Sequence, residues 1–281
     1  MTRGRAVFLT VWLLLIAGLI TAIFLIGLPS GEGGESIQEV MRDGVLHDRT
    51  HVRLFGLEVN PSVISGFIVT AVLLLAAVLI RLIAVPRFKT VPGRFQACLE
   101  KAVGFFSDMA SEKTHRGSGF VSAYIFGAGI YIFFGTLFEL FGVQFPSAEG
   151  GTVTLPAPLA DINGALSMGI LSFAVILGAG LVFNGPKGVL RVLKDFSLPV
   201  SMSFRLFGAL LSGLLVTELV YYYPALSFGL PVVVGVIFTL LHAVIQAYVL
   251  TILVSIFFGE AAEKKEKKPK RPRRSEKQKA E

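Results

Sequence analysis

The chain has 281 residues, 53% hydrophobic and 16% charged, with a formal net charge of +7. Soluble domains carry about 25% charged residues; here long apolar runs fill the deficit, which excludes an ordinary cytosolic enzyme and a disordered basic protein. The charge is also local, because residues 263–281 hold 10 Lys/Arg against 4 Asp/Glu and leave 16 basic against 15 acidic residues elsewhere. Nucleic acid is therefore not the partner this charge implies, and the single Cys98 excludes an internal disulfide.

A bilayer-crossing helix needs about 20 apolar residues, and its backbone polar groups must be satisfied within the segment. Residues 6–31 form the first charge-free run, preceded by Arg3 and Arg5. The run is longer than a signal-peptide core and shows no Ala-x-Ala cleavage site, so it reads as an uncleaved signal anchor, with a signal peptide as the alternative. Residues 32–58 mix six acids with Arg42, Arg49 and Arg53 and read as an external loop. A second run spans 59–80. Over 94–110, Phe95, Cys98, Leu99, Ala102, Val103, Phe106 and Met109 recur at helical spacing, which predicts an amphipathic helix on the membrane surface. Further runs follow at 117–138 and 162–186. The stretch 196–259 is broken only by Arg205 and Glu218 and is too long for one span; Pro224, Gly229 and Pro231 mark its turn.

The expected fold is therefore an all-α integral membrane protein. It has about five core transmembrane helices, an N-terminal anchor or signal peptide (1–31), one surface helix, and two long, tilted final helices. The membrane domain covers 59–260, and 261–281 is a basic, low-complexity tail expected to be disordered. Counting Lys/Arg in successive connections gives 2, 3, 7, 0, 3, 0 and 10. That alternation places both termini in the cytoplasm, with the tail able to meet anionic lipid.

Arg205 fits neither side. A charge at a helix centre costs about 2.5–3.5 kcal/mol on insertion scales, and arginine does not escape the cost by deprotonating. On a helix it shares a face with Ser201, Gly208, Ala209, Ser212 and Gly213, small residues that let another helix approach closely. No acid stands at i±3 or i±4, so the pattern points to an anion on a partner, with an acid elsewhere in the chain as the alternative. In the next span Gly235, Thr239, His242 and Gln246 form one polar stripe, readable as structural polar groups or as a water- or ion-lined path. Glu218 lies 13 residues after Arg205, about 20 Å along the axis, and belongs near the outer surface. Asp161 and Asn163 open the fourth long run, as a helix N-cap, as channel residues, or as both.

The segment Leu198-Pro199-Val200-Ser201-Met202-Ser203-Phe204-Arg205-Leu206-Phe207-Gly208 resembles the hallmark of the subunit a family of F-type ATP synthases. Further stretches resemble the family in the expected order: Val91-Pro92-Gly93-Arg94-Phe95-Gln96 its entry to a surface helix, Ala157-Pro158-Leu159-Ala160-Asp161-Ile162-Asn163 its Pro-Thr-Ala-Asp-Leu-Asn signature, and Ile245-Gln246-Ala247-Tyr248-Val249 its last-helix glutamine motif. The resemblance covers roughly 59–260. It implies two offset half-channels, a ring of c-subunits whose carboxylates pass Arg205, b subunits of a peripheral stalk, an F1 head reached through the complex, and a bacterial inner-membrane location. It calls for no metal and no cofactor, and the chain alone is not a catalyst.

The departures are specific. Ala209 stands where the family usually has Asn. The usual outer-channel Glu falls on Leu214, with Glu218 one turn later, and an acid usual before the hallmark falls on Arg191, with Asp195 four residues on. Glu218 and Asp195 are the expected substitutes, and the outer path is expected to run through Glu218, Asp161 and His242. Two other classes compete: a secondary transporter binding an anionic substrate at Arg205, and a membrane scaffold without an ion path. The sequence shows no internal repeat or broken midplane helix to favour the first, and the polar stripe argues against the second.

Overall fold

The computed structural model describes residues 12–18, 21, 52–54, 57–114, 116–146, 152–222 and 230–263. Most of the first apolar run, most of the external loop and the basic tail lie outside these residues, as do the side chains of Leu214 and Glu218. The described chain is mostly helical. Two short antiparallel hairpins flank the helices on one side: β1 (Val52–Leu54) with β2 (Leu57–Val59), and β3 (Gln144–Pro146) with β4 (Thr152–Thr154).

Helix α1 runs from Pro61 to Leu79. It starts there because Pro61 supplies a fixed φ and no N–H, while the Asn60 side chain accepts the Ser62 N–H at 2.9 Å. The helix widens into a π-helical turn, Ile80–Ala84, and tightens over Val85–Arg87, so it outruns the predicted end at residue 80. Much of its apolar surface (Phe67, Leu74, Leu75, Leu82) is exposed, as expected of a helix solvated by lipid.

Helix α2 (Arg94–Lys113) is the predicted amphipathic element. Its apolar stripe divides: Phe95, Cys98 and Val103 stay exposed, whereas Phe106, Met109 and Ala110 pack into the protein. Gln96 folds back from its first turn, donating to Lys89 O at 2.9 Å and accepting from Lys89 N–H at 3.1 Å, which fixes the entry to the helix.

The core is built by α3 (Ser118–Leu137, extended by a 3-10 turn over Phe138–Phe141), α4 (Ile162–Val192), α5 (Ser197–Tyr222) and α6 (Leu230–Ala262). Helix α6 packs on α3, α4 and α5, and α4 packs on α5. Between them lie Ile125, Ile132, Ile176, Leu206, Val254 and Phe258, all essentially inaccessible. Buried hydroxyls in this apolar interior bond to the preceding helical turn, as Thr251 and Ser255 do to Ala247 O and Thr251 O, so no polar atom among them is stranded. Gly169 shows how closely α4 and α5 approach, since a Cβ there would lie 2.7 Å from Pro199 O and collide with Ser203 Oγ.

Among the described residues, four helices are long and apolar enough to cross a bilayer: Pro61–Arg87, Ser118–Phe141, Ile162–Asp195 and Leu230–Ala262. With 26 residues α5 spans about 39 Å, and with 33 α6 spans about 50 Å, both longer than a ~30 Å hydrocarbon core. One boundary differs from expectation. The fourth apolar run does not stop at Pro186; α4 breaks at Gly185 (φ 65°) and resumes to Val192, followed by a 3-10 turn over Leu193–Asp195. The positive φ needs glycine, and Pro186 then has no N–H to give the preceding turn. Asn184 uses the break to donate to Ala261 O (2.7 Å) and Glu263 O (3.1 Å), satisfying carbonyls at the end of α6.

Candidate functional site

Arg205 lies on α5 eight residues after the helix begins at Ser197. Its neighbours at one-turn spacing divide sharply. Met202, Ser203 and Leu206 are buried against α4 and α6, whereas Ser201, Phe204, Arg205, Gly208 and Ser212 are exposed. Ala209 and Gly213 are half-buried on the flank. The side of α5 that the sequence marks as small is therefore the side the chain leaves open. A Cβ built on Gly208 meets nothing within 4 Å, so no contact inside the chain requires glycine there.

Gln246 is buried, and its Nε2 donates to the backbone oxygen of Arg205 at 3.3 Å. That bond ties α6 to α5 at the level of the cation. The two residues border a small open cleft, lined also by Met202, Leu206, Val249, Leu250 and Leu253. Its walls are otherwise apolar, so the guanidinium is its strongest charge. Among the described residues no ion pair involves Arg205, and none of the side-chain hydrogen bonds reaches its guanidinium. The alternative of a compensating acid from its own chain gains no support here.

The predicted stripe on α6 is a physical stripe. Gly235, Thr239 and His242 are half-buried, and Gln246 is buried. His242 turns towards α5: a Cβ on Gly213 would lie 3.5 Å from its Nδ1. The ring also stacks obliquely on Phe238, with centroids 5.9 Å apart. His242 and Gln246 thus both meet α5 from α6, one turn apart.

Asp161, Asn163 and Asp195 lie on or beside α4, outside this seam. Asp161 occupies the N-cap of α4 with extended backbone, but its side chain makes no capping hydrogen bond. The capping role holds for its position and not for its carboxylate, which stays available for other chemistry. Asn163 is exposed in the first turn, where its carbonyl accepts from Ser167 Oγ at 2.7 Å. Asp195 is exposed at the end of its 3-10 turn, with no ion pair or hydrogen bond from its side chain among the described residues. Arg191 donates to Glu263 O at 3.4 Å and so serves the end of α6. The side chain of Glu218 lies outside the described residues. Two features escape sequence reasoning: the Asn184 clamp, which depends on contacts 77 residues apart, and Glu139, one residue beyond the end assigned to the third apolar run.

A family model described as ATP synthase A chain matches residues 64–259. Curated proteins similar to the chain include the ATP synthase subunit a of two strains of Cereibacter sphaeroides. Each is 29% identical over 211 residues, covering 70% of this chain and 80% of the relative. The matched region begins in α1, ends in the last turn of α6, and contains the whole α5–α6 seam.

Proposed function

The chain belongs to the ATP synthase A chain family, a multi-pass membrane component of the F0 stator, and from that premise we propose that it carries ions through two offset half-channels joined at Arg205. The exposed α5 face docks on a ring of c-subunits, whose ion-binding carboxylates pass the guanidinium as the ring turns. Arg205 keeps each passing carboxylate ionised through a charge-assisted contact, so the ion leaves into one half-channel and another is taken up from the other. Because the cation never discharges, it also blocks a direct leak between the two.

The observation that carries this reading is a guanidinium on a small-residue face with no ion pair among the described residues. An exposed arginine in lipid is costly, and a carboxylate on a close-packed partner removes that cost. Gln246 holds the two seam helices in register at that point. Thr239 and His242 continue the polar lining, with Asp161, Asn163 and Glu218 on the outer path and Asp195 on the inner one. Each monovalent charge crossing a 100 mV potential releases about 2.3 kcal/mol, so several ions are coupled to each ATP. The b subunits of a peripheral stalk hold the chain against the ring and connect it to the F1 head. Its setting is a bacterial inner membrane with the C-terminus in the cytoplasm, where the basic tail meets anionic lipid.

Arg205→Ala in membrane vesicles is the direct test. ATP-driven ion uptake should vanish while the complex still assembles; surviving uptake would overturn the reading.

A further inference from the structure

Glu139 is a half-buried acid that the mechanism above does not use. It sits in the 3-10 turn Phe138–Phe141 that ends α3, between Phe138 and Leu140. Its backbone oxygen accepts the Gly142 N–H at 3.2 Å, but no hydrogen bond or ion pair satisfies its carboxylate among the described residues. Burying a carboxylate without a partner is unfavourable, and acids kept inside apolar spans mark ion pathways far more often than packing.

The neighbours of its turn place it between two parts of the fold. Phe138 turns into the cluster of Val52, Ile64 and Leu155 on the hairpin side, while the turn as a whole packs against α6. Helices α3 and α6 run antiparallel, because Gly117 faces Phe258 and Gly129 faces Thr251. Ten residues beyond Gly129, Glu139 comes level with α6 about ten residues before Thr251, the stretch holding Thr239 and His242. At about 100° per residue Thr239 lies on the wheel between Ala243 and His242, with Ala243 wholly buried and His242 turned to α5. On the other flank, the segment leading into Asp161 runs beside the end of α3. Pro158 lies 3.6 Å from a Cβ built on Gly135, one turn before Glu139, and Leu155 N–H donates to Val143 O at 2.7 Å. Glu139 thus stands between the Asp161 segment and the polar stripe of α6.

We propose that Glu139 is an ion-pathway carboxylate of the outer half-channel, passing the ion between the external side and the Thr239–His242 stretch of α6. The inference rests on the proposed function, because only a chain that conducts ions needs a carboxylate relay there. It also supplies an outer acid on α3 in a chain whose α5 has Leu214 at the position where the family usually has one.

The test uses inverted vesicles carrying the intact complex, with ATP-driven ion uptake and co-purification of the c-ring measured together. Glu139→Gln keeps shape and polarity and removes the charge; uptake should fall at least tenfold with assembly retained, and Glu139→Asp should recover a substantial part of it. Wild-type uptake in Glu139→Gln would overturn the proposal. Should the glutamine variant fail to assemble, Glu139→Cys in a Cys98→Ser background supplies an independent reading. A membrane-impermeant maleimide applied to the external face of right-side-out vesicles should label it, and absence of labelling from that side would overturn the proposal. Arg205→Ala in the same vesicles separates the two ideas. Uptake lost there but kept in Glu139→Gln overturns the Glu139 assignment alone, whereas uptake kept in Arg205→Ala overturns the function on which it rests.

Discussion

Gly208→Leu tests whether the open face of α5 meets a close-packed partner. Inside the chain the substitution costs almost nothing: a Cβ at Gly208 has no atom within 4 Å, and replacing a helical glycine gains up to about 1 kcal/mol of propensity. The purified chain in detergent should therefore be as resistant to heating as wild type, or slightly more so. Against a packed partner the added side chain overfills the interface, which costs typically 1–3 kcal/mol, or roughly a 5- to 150-fold weaker docking. Co-purification with the c-ring and ATP-driven ion uptake should both fall by that order. The matched control is Gly169→Val, where the new side chain strikes Pro199 O and Ser203 Oγ of α5. That variant should lose thermal stability in the isolated chain. If Gly208→Leu pumped and co-purified normally while Gly169→Val behaved as described, the α5 face would not be the ring-facing surface.

Gln246→Leu removes the donor to Arg205 O; ion uptake in vesicles should drop, with a stability loss of about 0.5–1.5 kcal/mol in thermal unfolding of the purified chain. Asn184→Ala leaves the carbonyl of Ala261 without its side-chain donor and that of Glu263 with the longer bond from Arg191 alone, costing about 1–2 kcal/mol, and should increase proteolysis at the end of α6 without altering the ion specificity of the complex. Glu218→Gln should slow coupled pumping severely, and full activity in vesicles would remove that residue from the outer path.

The amino-acid pattern makes the helices legible because lipid leaves few alternatives: an apolar run of 20 residues has to be a helix, and its ends follow from glycine, proline and charge. Residues 117–138 correspond to α3 within a residue or so; α5 ends at Tyr222, just before Pro224, and α6 begins at Leu230, with Pro231 already in its first turn. Periodicity fails where tertiary contacts decide. Helix α4 continues through Gly185-Pro186 because Asn184 finds carbonyls on a helix that arrives 77 residues later, and no local signal announces that. The apolar stripe of α2 reads as one lipid-facing surface, yet Phe106 is taken into the protein by the gap at Gly129. Arg205 and Gln246 were legible as unusual residues in apolar runs. Their apposition was not, since it depends on the packing of α5 on α6.

The placement of polarity fits a chain that, under the proposed function, works against a partner subunit. Buried hydroxyls of the core helices bond within their own helix, as with Ser203 to Pro199 O and Thr251 to Ala247 O, and the bond from Gln246 across the α5–α6 seam uses a backbone acceptor. Each of these keeps the helices stable without touching a charge. The guanidinium of Arg205 is treated differently: the chain provides it with a small-residue clearing on one side and an amide fastening its backbone on the other, but no counter-ion among the described residues. A fixed acid beside it would stabilise the chain and end its usefulness, because a permanent ion pair could not exchange partners. Under the proposed function, a carboxylate that arrives and departs on another subunit compensates the charge only in passing. The open face and a cation with no ion pair among the described residues are then two parts of one requirement, and adding an acid, as in Gly208→Asp, should stabilise the isolated chain in detergent yet abolish uptake in vesicles.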